Sequence, residues 1–378
     1  MKVCFWGNVA KALKGNTSGG GQLQIALVAR ALALAGNEVS VIDYETSEDY
    51  VTDEGIKVFK ITGWNKGIRV FRSFTHRLPN LYRTLKQQKA DIYYCRIRDF
   101  RHILAYWAAK RVKGKFILGL ASNLDALNFK NRFKYQHKVS RGSVWPFCSG
   151  LLIEIIYPYL LRNADLVLVQ HEGQKQALLK KNIKSLIFPN IIQKFESEAE
   201  DNKVQRDFIY VGRLDKRKGF SKFFEVVTKA SSSHSFKVIG EPSDKHAEFY
   251  FKQLKDFKNV KLLGWLNHSE TLKEIASSKA LICTSPMEGF PNVFIEAWSL
   301  GIPVLSLYFD LGVIEKEKLG KVFNGNIENL ISSMDQMIVT EEFIKNSKRY
   351  VQEKHLLTNS KIEGINNLFH SLLNGQKK

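Results

Sequence analysis

Short apolar runs alternate with longer stretches of helical periodicity along the whole chain. Strands that alternate with helices are typical of parallel sheets covered by helices. The pattern therefore predicts an α/β protein with two sheets, one in each half of the chain. The predicted strands lie near residues 2–7, 38–43, 91–95, 115–120 and 165–169, and near 207–212, 235–239, 259–264, 280–284 and 303–306.

A polar, acidic stretch separates the two sets of strands. Residues 193–206 show no apolar periodicity, which indicates a linker. With 378 residues and 44% hydrophobic content, the chain is too long for one ordinary domain and can bury two cores. We predict domains at 1–192 and 207–355, followed by a helical segment at 356–378.

The most informative segment is residues 288–296, with the sequence EGFPNVFIE. It follows a predicted buried strand, so it belongs at the carboxyl edge of a sheet, where α/β proteins bind their ligands. A helix that begins at Pro291 presents its first amide groups to an anion such as a diphosphate. Glu296 then lies one turn into the helix, where its carboxylate suits two sugar hydroxyls. Glu288 stays in the loop.

A second segment, residues 208–219 (FIYVGRLDKRKG), runs from an apolar strand into a basic turn that opens another helix. Arg213 and Lys218 are placed to bind phosphate oxygens, the first as a planar fork and the second as a point charge. Gly212 and Gly219 let the backbone approach a ligand closely. The other two basic residues of the turn are interpreted as solvated surface charges.

Three consecutive glycines, Gly19 to Gly21, lie between the first strand and a helix predicted from about Gln22 to Leu34. Such turns allow amides to approach phosphates. The spacing is not the dinucleotide-binding fingerprint, and a glycine run is also common in flexible loops. The residues alone leave both interpretations open.

Together the two segments resemble the retaining GT-B glycosyltransferases of glycosyltransferase family 4, also called glycosyl transferases group 1. The resemblance rests on two glutamates separated by seven residues, preceded by a Gly-Arg-Leu-x-x-x-Lys-Gly turn, and it covers most of the chain. Weaker similarities are residues 164–169, residues 188–190 and Gly240. The resemblance implies two Rossmann-like parallel-sheet domains that face each other across a cleft. The first would bind the acceptor and the second the nucleotide sugar, and the last helix would cross back to the first.

The resemblance also implies the chemistry. A sugar would pass from a nucleotide-diphosphate sugar, of UDP or GDP type, to a hydroxyl with retention of configuration, without a metal or another cofactor. Arg213 and Lys218 would hold the diphosphate, Glu288 would orient the sugar, and Glu296 would bind the ribose. The remaining donor-binding positions would be Gly20, Gly21, Gly212, Gly264, Gly289, Phe290, Pro291, Asn292 and Val293.

The first half departs from the family pattern on the sugar side. Many members carry a histidine in the loop after the strand near 115–120, and this chain has none there. Its candidates for contacts with the acceptor or the sugar are Ser122, Asn123 and Asp125. The scattered histidines, His268 among them, lack metal spacing, and most are interpreted as surface or packing residues.

The net charge of +20 is concentrated in the first half. Residues 1–190 hold 30 Lys and Arg against 13 Asp and Glu, and residues 66–141 hold 19 against 3, interleaved with aromatic side chains. Such a surface suits anionic lipid headgroups, so we expect a membrane surface and a lipid-linked or other glycan acceptor as partners. A basic surface without any partner is the alternative. No nucleic-acid recognition signature accompanies the charge, and we expect no nucleic acid.

No stretch reaches the roughly 20 apolar residues that span a bilayer, and the first residues do not resemble a signal peptide. The four cysteines are scattered without metal or disulfide spacing. We expect a cytoplasmic protein, peripheral at the inner face of the cell membrane, in bacterial-type polysaccharide biosynthesis. Two alternatives stay open: a non-catalytic sugar-nucleotide-binding protein anchored through residues 66–141, and a GT-B sugar-nucleotide epimerase.

Overall fold

Two separate parallel sheets organise the chain in this computed structural model. The structure describes residues 1–15, 19–68, 71–127, 144–195, 207–230 and 234–375, with side chains from 150 onwards in the fourth range. Unit 1 comprises residues 1–191 and 357–378, and unit 2 comprises residues 192–356.

Unit 1 is built on an eight-stranded sheet. Its strands are β1 (Lys2–Trp6), β2 (Glu38–Asp43), β3 (Tyr50–Val51), β4 (Lys57–Lys60), β5 (Ile92–Arg96), β6 (Lys115–Gly119), β7 (Leu166–Val169) and β8 (Leu186–Ile187). Their order across the sheet is β3-β4-β2-β1-β5-β6-β7-β8. Every neighbouring pair is parallel except β3 and β4, which are antiparallel.

Helices cover both faces of this sheet. Those before residue 191 are α1 (Ala10–Leu13), α2 (Gly20–Leu34), α3 (Leu78–Gln87), α4 (His102–Arg111), α5 (Asn123–Ala126), α6 (Val144–Asn163) and α7 (Glu172–Leu179). A π-helical turn, Ser73–Arg77, precedes α3. The core of one face contains α2, and that of the other contains residues of α3, α4 and α6.

Unit 2 is built on a six-stranded, fully parallel sheet. Its strands are β9 (Asp207–Val211), β10 (Ser235–Ile239), β11 (Val260–Gly264), β12 (Ala280–Cys283), β13 (Val304–Ser306) and β14 (Gly320–Val322). Their order is β11-β10-β9-β12-β13-β14. The helices are α8 (Phe220–Lys229), α9 (Lys245–Leu254), α10 (His268–Ala276), α11 (Asn292–Ser299), α12 (Ile327–Asp335) and α13 (Glu341–Lys354).

The last helix, α14 (Asn359–Leu373), belongs to unit 1 and packs against α2. Its apolar stripe supplies the fully buried Phe369, whose ring centroid lies 6.2 Å from that of Tyr94 on β5. This contact joins the end of the chain to the centre of the first sheet. Within the described ranges, no helix combines the length and the apolar character needed to cross a bilayer.

The predicted α/β class with two parallel sheets is confirmed, and each predicted strand is present with ends shifted by at most two residues. Strands β3, β4, β8 and β14 were not predicted. They are two to four residues long and carry exposed positions, so they lack the apolar run that marks a buried strand.

Each sheet has one point where the strand order reverses. In unit 1 the chain builds outward from β1 through β2 and then returns to place β5 on the other side of β1. In unit 2 it builds from β9 through β10 to β11 and returns to place β12 beside β9. Loops that leave two such neighbouring strands in opposite directions open a crevice at the carboxyl edge, where α/β proteins bind ligands.

Candidate active site

The turn after β9 is held by one buried carboxylate. Asp215 Oδ1 accepts a hydrogen bond from the Lys218 amide at 2.8 Å, and Oδ2 accepts from Arg213 Nε at 2.9 Å and Arg217 Nη2 at 3.0 Å. Burial acts to raise the pKa of Asp215, but the amide and the two guanidinium groups outweigh it and hold this pKa below its ordinary value. The carboxylate therefore stays ionised and fixes both Arg213 and the short 3₁₀ turn that carries Lys218.

Gly219 allows this turn to meet the loop that follows β12. Its backbone has φ of +68°, and an added Cβ would lie 2.1 Å from the carbonyl oxygen of Thr284. The Thr284 hydroxyl donates to the Gly219 carbonyl at 2.9 Å. Only glycine fits both the left-handed conformation and the close contact, so the predicted need for glycine here has a steric cause.

Lys218 and Glu288 meet at this junction. Lys218 Nζ donates to Glu288 Oε1 at 2.6 Å, although the residues lie 70 positions apart in the chain. The Glu288 side chain is 15% exposed and the Lys218 side chain 34%. A largely buried pair of this kind forms a strong charge-assisted hydrogen bond. Two predicted site residues are thus in contact at the point where the strand order reverses.

The start of α11 lies on the same loop. Pro291 is the N-cap, no side chain caps the helix, and its first turn carries no acidic residue. The first amide groups of a helix lack partners within the helix, and the helix dipole adds a partial positive charge there. The predicted helix start is therefore present at Asn292, with the properties of an anion-binding end.

The side chain of Phe290 is buried, although the residue belongs to the motif that predicts contacts with the donor. Its ring is buried, 6.3 Å from the Trp298 ring and 5.0 Å from the His355 ring between centroids. The side chain belongs to the core of unit 2, so a donor contact from this residue has to come from its backbone. Gly289 before it is buried, and Val293 after it is partly exposed.

Glu296 has a partner that sequence reasoning missed. His268 Nε2 lies 3.0 Å from Glu296 Oε1, which joins the start of α10 to α11. The hydrogen bond and then the charge of Glu296 raise the pKa of His268, while burial opposes them. Nothing in the local sequence links residues 28 positions apart. The one available signal was that both helices follow carboxyl ends of strands in a parallel sheet.

The loops after β9, β10 and β11 are in close backbone contact. Gly240 has φ of +135°, and an added Cβ would lie 2.0 Å from the carbonyl oxygen of Gly212. The Gly240 amide donates to the Gly264 carbonyl at 2.8 Å. Gly212 and Gly264 are predicted donor-binding positions. Because none of these glycines has a side chain, the three loops can lie close together at this edge of the sheet. The Trp265 side chain beside them is 59% exposed.

In unit 1 the glycine run lies at the reversal between β1 and β5. Gly19 caps α2, which begins at Gly20, and an added Cβ on Gly21 would lie 2.7 Å from Ile97 Cδ1 just after β5. Residues 16–18 of this loop lie outside the described ranges. The glycine run therefore permits close packing between two loops at the carboxyl edge.

Ser122 and Asp125 form a capping box at the start of α5. Asp125 Oδ2 accepts from the Ala121 and Ser122 amides at 2.9 and 3.0 Å, and the Ser122 hydroxyl accepts from the Leu124 amide at 3.2 Å. Asp125 is 4% exposed. Both side chains hold the turn itself, and their contact with an acceptor or a sugar stays a prediction.

Asn123 belongs to a polar network at the same edge. Its Oδ1 lies 2.8 Å from His171 Nε2 and accepts from Gln174 Nε2 at 3.0 Å. The network continues through the buried Asn190, whose Oδ1 accepts from Arg96 Nη2 at 2.7 Å. Neutral amides therefore dominate this edge of unit 1.

Two further predictions, the basic region at residues 66–141 and the lack of a metal site, involve segments that the structure describes only in part. In the basic region 66–141, residues 69–70 and 128–141 lie outside the described ranges. Within those ranges, no group of three or more His, Cys, Asp or Glu side chains is arranged to hold a metal ion.

The chain has the GT-B fold, which solved glycosyltransferases share. The sucrose-phosphate synthase of Thermosynechococcus elongatus has a similar structure, with a TM-score of 0.77 at 14% identity over the whole of both chains. Anabaena HepE, solved in complex with UDP and glucose, has a TM-score of 0.67 at 13% identity, also over both whole chains. Identities this low show the fold alone.

Residues 191–354 match the family model for glycosyl transferases group 1. The chain is 26% identical over 266 residues to an uncharacterized glycosyltransferase of Methanocaldococcus jannaschii. It is also 26% identical over 199 residues to the lipopolysaccharide 1,6-galactosyltransferase of Escherichia coli. These matches cover 62% and 49% of this chain, and 64% and 55% of the respective relatives.

Proposed function

We propose that this protein is a retaining glycosyltransferase of family 4, which moves a sugar from a UDP- or GDP-type nucleotide sugar to a hydroxyl acceptor. The observation that carries the proposal is the contact of Lys218 with Glu288 beside the start of α11. A cation, a carboxylate and a helix start meet at the reversal point of a sheet in the segment that matches the model for glycosyl transferases group 1. This combination suits a diphosphate leaving group next to a sugar.

The leaving diphosphate gains negative charge as the glycosidic bond breaks. Lys218, Arg213 and the first amides of α11 stabilise that charge, which is the role for which preorganised donors contribute most to catalysis. Lys218 has three N–H donors, so its hydrogen bond to Glu288 leaves donors for phosphate oxygens. These groups supply the positive charge, and the proposed reaction uses no metal.

Glu288 orients the sugar and opposes the positive charge that develops on its ring. Glycosyl transfer passes through such an oxocarbenium-like state. The bond from the anomeric carbon to the diphosphate oxygen breaks, the acceptor oxygen bonds to the same carbon from the same face, and the acceptor proton passes to the leaving phosphate. Retention of configuration follows from attack on the face that the diphosphate leaves.

Glu296 binds the ribose hydroxyls of the donor. Its carboxylate offers about four acceptor sites, and His268 occupies one of them through Oε1. The hydrogen bond from His268 fixes the rotamer of Glu296 before the donor arrives. Preorganisation of this kind lowers the cost of binding.

The acceptor that we propose is a lipid-linked or other cell-surface glycan intermediate in polysaccharide biosynthesis. The name of the E. coli relative supports the choice, as does the positive charge of the first 190 residues. We place the protein in the cytoplasm, peripheral at the inner face of the cell membrane.

A panel of nucleotide sugars, screened by thermal shift, identifies the donor, because a ligand at 100 times its Kd stabilises by roughly 2.7 kcal/mol. With that donor, we expect Glu288→Gln to keep donor binding and to lose about 100-fold or more in transfer. Glu225→Gln, which changes a partly exposed carboxylate on α8 that pairs with Lys222, is the matched control and should be active.

The products decide between the alternatives. NMR of the new glycosidic bond should show the donor's anomeric configuration, and an inverted product would contradict retention. Undiminished transfer by Glu288→Gln would remove Glu288 from catalysis. An epimerised nucleotide sugar without transfer would favour the epimerase. Donor binding without either reaction would favour a non-catalytic binding protein.

A further inference from the structure

Helix α6 is apolar on two opposite sides. Tyr157 and Leu160 are fully buried in the core of unit 1, whereas Leu151, Ile155 and Tyr159 are 52%, 65% and 46% exposed. The exposed residues are four positions apart, so they form one stripe along the helix. A helix at the surface of a soluble protein normally shows charged or polar residues on its outer face. The exposed stripe of α6 is therefore apolar, where a helix of a soluble protein is normally polar.

A second group of exposed apolar side chains lies beside the start of α3. Ile68, Phe71 and Phe74 are 72%, 60% and 62% exposed. Helix α4 packs against both α3 and α6, and its Trp107 is 51% exposed. We name this set of exposed apolar residues, together with the stripe of α6, the apolar face of unit 1.

Topology places much of this face at one edge of the sheet. Helices α3 and α6 lead into the parallel strands β5 and β7, so they run against the strand direction and begin at the carboxyl edge. Helix α6 has 20 residues, which corresponds to about 30 Å at 1.5 Å per residue. It is therefore longer than the strands beside it. Its first half thus lies towards the edge that holds the Gly19 to Gly21 turn.

Exposed basic residues lie near several of the apolar side chains. Lys66 lies beside Ile68, Lys110 and Arg111 lie at the end of α4, and Arg162 lies at the end of α6. The acidic group on the described part of α6, Glu154, is held in an ion pair with Arg98. Lys110 is paired with Asp165, so the positive charge comes from Lys66, Arg111 and Arg162. Exposed apolar residues with basic neighbours are typical of interfacial membrane binding.

We propose that the apolar face of unit 1 inserts into an anionic lipid bilayer, with α6 lying in the interface and the basic residues contacting headgroups. A second copy of the chain is a poorer occupant, because a symmetric contact would bring the same basic residues against each other. The inference gives the membrane partner a defined surface. It rests on the proposed function only for the expectation that the acceptor is lipid-linked.

The test is sedimentation of the full chain with vesicles, in the absence of donor and acceptor. We expect binding to vesicles of phosphatidylcholine and phosphatidylglycerol at low salt and weaker binding to phosphatidylcholine alone, because surface charge attracts basic residues within a Debye length. The double variant Leu151→Ser/Ile155→Ser should lose at least tenfold in the partition coefficient. The matched control, Phe249→Ser/Ile338→Ser, removes two apolar side chains of unit 2 that are more exposed than the α6 pair on average, and it should bind as the wild type does.

Thermal melting of both variants verifies that they fold, which is expected because all four side chains are exposed. Absence of binding by the wild type at low salt, equal binding by the α6 variant, or an equal loss in the control would overturn the proposal. So would a dimer in light scattering that the α6 variant dissociates, which would assign the face to a second copy. Sugar transfer to a soluble acceptor is measured separately, so failure here is distinguishable from failure of the glycosyltransferase proposal.

Discussion

The two sheets of this protein place different chemistry at the same topological position. At the reversal point of unit 2, Lys218 pairs with Glu288, and nearby His268 pairs with Glu296. At the corresponding edge of unit 1, the Asn123 amide contacts His171 and Gln174, and the Asn190 amide accepts from Arg96. The fold decides where a ligand can bind, and the side chains decide which kind. Charged pairs suit a diphosphate, whereas an amide network suits a rigid edge.

The largest expected effect is that of removing the cation of unit 2. Lys218→Met should lower kcat by about 100- to 1,000-fold, the usual cost of losing one donor to a developing charge. Steady-state kinetics with the identified donor measure it. Lys216→Met, an exposed lysine of the same turn, should retain activity. If the kcat of Lys218→Met were near that of the wild type, Lys218 would have no catalytic role. The proposed chemical difference between the two edges would then be wrong.

The second-largest effect is expected from a steric change at the point where the loops after β9 and β12 meet. Gly219→Val places a Cβ against the Thr284 carbonyl at a φ that β-branched residues avoid, and we expect a loss of roughly 2–3 kcal/mol in the free energy of unfolding. The thermal midpoint should fall, and donor affinity with it.

Gly364→Ala is the opposite control for that variant. Residue 364 lies in α14 with open space around it, so alanine should stabilise by about 0.5–1 kcal/mol. Similar midpoints for Gly219→Val and the wild type would show that the junction tolerates the clash.

The amide network of unit 1 should affect stability more than chemistry. Asn123→Ala removes the acceptor of His171 and Gln174, which should cost about 1–2 kcal/mol for donors left unsatisfied. Asn65→Ala, at an exposed asparagine of the same unit, should be neutral. We expect Asn123→Ala to keep its kcat within a few-fold of the wild type at a temperature where it is folded. A loss as large as that of Lys218→Met would give both edges a catalytic role.

The smallest effect concerns pH. The pKa of His268 is raised in the folded chain, so its pair with Glu296 contributes full stability below the ordinary histidine pKa of about 6.5. That contribution is lost as the pH rises through the raised folded value. His268→Gln should therefore lower the thermal midpoint more at pH 6 than at pH 8.5. The difference corresponds to less than ~1 kcal/mol, because the histidine is partly exposed. An equal loss at both pH values would remove the ionic part of the pair.

Much of unit 2 could be predicted from the sequence, because its signals are local. The apolar runs of β9 and β12 mark buried strands, and Pro291 marks a helix start. Parallel connections place the turns that follow both strands at the same edge of the sheet. Lys218 reaches Glu288 because β12 lies beside β9, which the sheet order decides. Short strands such as β3 escaped prediction because two residues cannot show a period.

The sequence by itself determined the fold class, the ten predicted strands and the candidate residues for binding a diphosphate. Only the tertiary structure decided that Phe290 belongs to the core, that Asp125 caps its own turn, and that His268 reaches Glu296. It also decided that α6 exposes one of its two apolar sides. The physical reason is that a local sequence pattern indicates secondary structure and the average burial of a segment. Contacts between side chains distant in the chain depend on how the helices and loops pack.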